Sequence, residues 1–211
     1  MPARGDYLRD PEAICRASFE AIRREAPIGD LPLEMQALAT RLIHACAMPE
    51  ILSELAWTSD AIAAGVGALR AGRPILADAA MVAAGIRRER LPADNPIVCT
   101  LGEPGVAGRA AAGSTTRSAA AVDLWREHLS GAVVAIGNAP TALFRLLELV
   151  ADGVPPPALV LAFPPGFVGA AEAKEALLQH RPRVPYITLR GRRGGSALAA
   201  AAVNALAREV S

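Results

Sequence analysis

Two rhythms of apolar residues divide the chain near Gly72. Before that point they recur at helical spacing. Ala13, Ile14, Ala17, Ala21 and Ile22 follow Asp10-Pro11, a pair suited to cap and open a helix. A second periodic stretch runs from about Pro32 to Ala47, with Met35, Leu38, Leu42 and Ala45 as its inward stripe and Pro49 closing it. The first seventy residues therefore read as helical. After Gly72, short apolar runs alternate with helical periods: Pro74 to Ala77, Ile97 to Leu101, Ala132 to Ile136, Leu159 to Phe163 and Tyr186 to Leu189. Most are rich in Val, Ile or Leu, as strands buried on both faces of a parallel sheet are. Between them Leu143, Leu146, Leu147 and Val150 give a clean helical spacing. This alternation predicts a doubly wound, three-layer α/β/α fold, its mainly parallel five-stranded sheet preceded by amino-terminal helices. No repeat or linker interrupts it, so residues 1–211 read as one domain, with Pro155-Pro156-Pro157 a stiff loop.

Composition sharpens this picture. Hydrophobic residues make up 52% but aromatics only 4%, so Ala, Leu, Val and Ile must fill the core. With 22 basic and 21 acidic residues and no basic block, nucleic acid is not an expected partner. Cys15, Cys46 and Cys99 are scattered, as reduced thiols in a cytoplasmic protein would be. Met1 to Tyr7 carries charges and no apolar run, which argues against a secretory signal. The uncharged run from Ser130 to Phe144 is broken by Gly137, Asn138 and Pro140 and is too short for a bilayer.

In a doubly wound sheet, ligands bind at the carboxyl ends of the strands. The segments there are Asp78 to Met81, Gly137 to Thr141, Pro164 to Gly169 and Gly191 to Ser196, joined by Ser114 to Ser118 before a helix from about Arg117 to Leu129. Glycine-rich turns at helix starts offer free N–H groups and partial positive charge to an anion. Arg117 can grip a carboxylate at two points. Tight turns and helix caps explain the same residues one by one. Together they suit a large, flat ligand with an apolar middle and carboxylates around its edge.

Three histidines occur, and His44 stands apart within Arg41 to Ala47, off the inward stripe, where an imidazole can act as a general acid or simply face solvent. His128 and His180 fall near predicted helix ends. His44 and Cys46, two apart on a helix, do not share a metal. Gly65 to Arg70 lacks the third glycine and the preceding strand of a dinucleotide fingerprint, and no P-loop or Gly-x-Ser-x-Gly elbow occurs.

In order and spacing, the chain resembles the precorrin-8X methylmutases nearly end to end. The resemblance is carried by Tyr7-Leu8-Arg9-Asp10, Ser18-Phe19, Ile22-Arg23, Ile43-His44-Ala45-Cys46 and Thr116-Arg117-Ser118-Ala119-Ala120. It continues through Val134 to Leu143, Gly166-Phe167-Val168, Glu172, Lys174, Gly191-Arg192 and Gly194-Gly195-Ser196. It implies a flavodoxin-like homodimer that moves a methyl group from C-11 to C-12 of a tetrapyrrole, giving hydrogenobyrinate, with no metal or organic cofactor. By the same resemblance, His44 is the proton donor and Ser18 binds substrate. Residue type and position add Thr116, Arg117, Ser118, Gly137, Asn138, Arg192, Gly194, Gly195 and Ser196 as substrate contacts. The chain departs from the family at Ala77, Ala80, Pro165 and Ala173. A cobalt-containing substrate, a tetrapyrrole carrier without turnover, and a nucleotide-binding flavodoxin-like module are the rival readings.

Overall fold

The computed structural model describes residues 7–180 and 183–209. The charged start on which the argument against a secretory signal rests lies almost wholly outside them. Asp10 caps α1 (Pro11–Glu25), its carboxylate accepting from the N–H groups of Glu12 and Ala13 at 3.4 and 3.0 Å, with Pro11 opening the helix. Helix α2 (Leu33–Cys46) ends where Ala47 turns left-handed, at φ 55°. Met35, Leu38 and Leu42 are buried as the spacing predicts, but Ala45 is exposed and Ala39 and Ile43 extend the inward face instead.

There follow β1 (Leu55–Trp57), α3 (Ala61–Arg70), β2 (Ile75–Ala77), α4 (Ala80–Gly85), β3 (Ile97–Val98), α5 (Val106–Ala112) and α6 (Arg117–Val122). The chain closes with β4 (Val133–Ile136), α7 (Pro140–Ala151), β5 (Leu159–Ala162), α8 (Ala170–Gln179), β6 (Tyr186–Leu189) and α9 (Ser196–Arg208). The strand order is β1-β6-β5-β4-β2-β3, parallel from β2 to β6, with β1 antiparallel at one edge. The expected α/β/α architecture is therefore present, but the sheet has six strands among the described residues, not five. The additional strand lies within the stretch read as wholly helical. Leu55-Ala56-Trp57 is too short to show an alternation, and its strand state comes from distant pairing with β6. The helix expected from Arg117 to Leu129 also stops early, at Val122, and continues as a 3-10 turn through Trp125.

Each inner strand sends alternate residues to opposite faces. Val133 and Ala135 join α2, α3, α4 and α9 in one core, while Val134 and Ile136 join α7 and α8 in the other. Helix α9 lies against the sheet, α2 packs on α9, and α1 packs on α2. Alanines make this stacking close: a Cβ on Gly85 of α4 would sit 2.7 Å from that of Ala200.

Candidate active site

The polar groups at the carboxyl ends of the strands are largely committed to one another. Asp78, buried just beyond β2, accepts three hydrogen bonds from the turn after β4: Gly137 N–H at 2.9 Å, Asn138 N–H at 3.0 Å and Ala139 N–H at 2.8 Å. Burial pushes the Asp78 carboxyl above its ordinary pKa, and the three amides pull it back. The anion-binding corner expected at Gly137 and Asn138 is thus filled by the chain's own carboxylate, leaving the exposed Asn138 side chain to face outward. Gly137 also lets two elements meet, since a Cβ there would lie 2.7 Å from Ser196 Cα.

The turn before α9 is similarly tied down. Gly195 N–H donates to Phe163 O at 2.7 Å, Gly166 N–H to Arg192 O at 3.1 Å, and the buried Lys174 Nζ to Arg193 O at 2.7 Å. Gly194 passes so close to the Phe163 carbonyl that no side chain fits. Desolvation lowers the Lys174 pKa to about 8, against a weaker pull upward from Glu54. Thr116 caps α6 by accepting from Ala119 N–H at 3.1 Å, and its hydroxyl shares a 2.8 Å hydrogen bond with that of Thr141. Ser118 is half-buried behind it. Arg117, exposed, donates to Leu101 O at 3.3 Å, and Arg192 lies over the Phe167 ring, 5.7 Å from its centre.

His44 belongs to a different place. It is exposed on the last turn of α2, its ring edge-on to Phe19 with centroids 5.4 Å apart. It has no hydrogen-bond or ion-pair partner among the described residues. Two hollows meet at its imidazole. One, of about 300 Å³, brings in Ser18, Ile22, Ala47 and Pro49, so the structure does place Ser18 beside His44. The Ser18 hydroxyl donates to Ile14 O at 2.8 Å, leaving its lone pairs for a ligand. The other, of about 100 Å³, is lined by Arg41, Arg87, Arg90 and Asn204. It shares Arg41 and Arg90 with a third hollow of about 570 Å³, where Phe19, Arg23, Arg208 and Glu209 also contribute.

No local pattern in the sequence marks Arg41, Arg87, Arg90 and Arg208, because they come from three distant segments that α9 and α2 bring together. Arg41 is half-buried over the Phe19 ring at 5.5 Å. Its pKa is lowered by burial first, then by the charges of Arg208, Arg90 and Arg87, with Cys15 acting the other way. Asn204 fixes the segment that carries two of them. Its side chain accepts from Arg87 N–H and donates to Gly85 O, both at 2.9 Å.

His128 and His180 line none of these hollows. Among the described residues no group of three His, Cys, Asp or Glu side chains is placed to hold a metal ion. The strand-end set and the His44 groove are set apart along α9. The rise from Ser196 to Asn204 is about 12 Å at 1.5 Å per residue.

A family model, CbiC, described as precorrin-8X methylmutase, matches residues 13–209. A precorrin-8X methylmutase of Pseudomonas aeruginosa is 56% identical over 204 residues, covering 97% of this chain and 98% of the relative. A cobalt-precorrin-8 methylmutase of Priestia megaterium is 36% identical over 197 residues, covering 93% and 87%. The crystal structure of a precorrin-8X methylmutase from Thermus thermophilus superposes with a TM-score of 0.85 at 41% identity, over 94% of this chain and 96% of that one.

Proposed function

The chain belongs to the precorrin-8X methylmutase family, isomerases of cobalamin biosynthesis, and we propose that His44 supplies the proton for its methyl shift. The reaction moves the methyl group from C-11 to C-12 of precorrin-8X and gives hydrogenobyrinate. One carbon–carbon bond breaks and another forms within the same molecule, so no atom is gained or lost. A proton placed on the macrocycle changes its electron distribution and is returned once the methyl has moved. Positioning and a general acid each contribute orders of magnitude in rate.

One observation carries the reading: His44 is exposed in a groove, with no hydrogen-bond or ion-pair partner among the described residues, the Ser18 hydroxyl on one side and arginines on the other. Ser18 would hold the ligand in place. Arg117, Arg192, the Asn138 side chain and the hydroxyls of Thr116, Ser118 and Ser196, with Gly194 and Gly195 shaping the turn, would meet its edge. Contact with both places requires a ligand about 12 Å across or a partner subunit supplying one of them. We read the assembly as a homodimer, supported by the exposed apolar side chains of Leu33, Met81, Phe167 and Val168. Free thiols at Cys15, Cys46 and Cys99 support a cytoplasmic site of action. Among the described residues no helix is long and apolar enough to cross a membrane.

Metal-free precorrin-8X is favoured over the cobalt form by the higher identity to the relative named for it. His44→Ala tests the assignment. It should lower turnover about a thousandfold, the range of a lost general acid, while pigment binding persists. Full turnover by that variant would overturn the role of His44, and binding without conversion by the unmodified protein would favour a carrier.

A further inference from the structure

We propose that Arg41, Arg87, Arg90 and Arg208 form a subsite beside His44 for the carboxylate groups of the macrocycle, so that the ligand's own charge holds it over the acid. This rests on the isomerase reading and adds the residues that recognise the ligand's charge.

Some other arginines pair with acids: Arg145 with Asp123 and Glu148 at 2.8 and 2.7 Å, Arg190 with Glu175 at 3.0 Å, Arg193 with Glu50 at 3.4 Å. None of the four has an ion-pair partner among the described residues, and Glu209 is the acid that lines their hollow. Yet they converge from α2, the segment after α4, and α9 closely enough for each of the others to act on Arg41. Like charges gathered in a half-buried groove repel one another unless an anion joins them. Guanidinium forks match carboxylates at two points, so several of them suit a ligand with carboxylates spread along one edge. The groove is built rather than accidental. Asn204 clamps the Arg87 segment to α9, and Arg41 rests on the Phe19 ring that also abuts His44.

Binding of hydrogenobyrinate and of its derivative with all carboxylates converted to amides tests this, across a salt series, in the unmodified protein and in Arg87→Gln and Arg90→Gln. Arg87 is exposed and Arg90 half-buried, and thermal melting checks that the variants stay folded. For the free acid, each substitution should raise Kd tenfold or more, the scale of a lost charged hydrogen bond, and flatten the salt dependence. The amide should bind the unmodified protein more weakly and be indifferent to either substitution. If both variants bind the acid as tightly as the unmodified protein, with the same salt slope, the subsite is overturned while the isomerase reading stands. Failure of the unmodified protein to bind or convert the pigment overturns both.

Discussion

The strand ends and the His44 groove are both polar, but they differ in whom their polar groups address. At the strand ends a buried carboxylate, three amides, an ammonium and a chain of carbonyls satisfy one another. In the groove an imidazole and several guanidiniums face outward without acidic partners among the described residues. The first arrangement is what a fold needs to stay closed over buried polar atoms. The second costs stability through repulsion and is explained by a ligand. Satisfied hydrogen bonds and unsatisfied charge thus separate scaffold from site more sharply than position in the sheet does.

The contrast breaks most visibly if one substitution from each place behaves like the other. His44→Ala should reduce kcat by about three orders of magnitude with an unchanged melting temperature. Asp78→Asn should do the reverse. An amide cannot accept from three N–H groups without turning its own NH₂ on one of them, so stability should fall by about 2–3 kcal/mol in urea unfolding, with kcat per folded molecule within about twofold. A smaller effect sharpens the boundary. Arg117→Gln should raise KM about fivefold, since Arg117 is exposed and bonded only weakly to Leu101 O, and an unchanged KM would remove Arg117 from the binding set.

The last effect concerns pH. Lys174 titrates near 8 in the fold against an ordinary 10.5, so between those values the unfolded chain holds a proton that the folded protein has released. Its contribution to stability should rise from about pH 8 to 10.5 and be level below that window. The urea midpoint measured at both ends should show the rise, and Lys174→Met should remove it.

Much of the scaffold was legible because buried parallel strands are written as continuous apolar runs. Ile75–Ala77, Val133–Ile136, Leu159–Ala162 and Tyr186–Leu189 all lie within the runs that predict them. Leu55–Trp57 was not, because three residues carry no period and its partner lies more than a hundred positions away. The meeting of Ser18 and His44 followed from family resemblance, since nothing in either helix alone pairs them. Asp78 was visible as an acid following an apolar run, but not its three amide partners. Arg87, Arg90 and Arg208 escaped for the same reason, being neighbours only once α9 is in place.

Helix α9 has a further consequence. With Gly85 against Ala200 and Gly137 against Ala199, each leaving no room for a Cβ, and Asn204 bonded across to the Arg87 segment, it is wedged on several sides by close packing. The bed of the groove is therefore stiff, and adjustment to an incoming pigment falls to long side chains swinging above it. A bulkier residue introduced along that helix would be felt at the imidazole without ever touching the ligand.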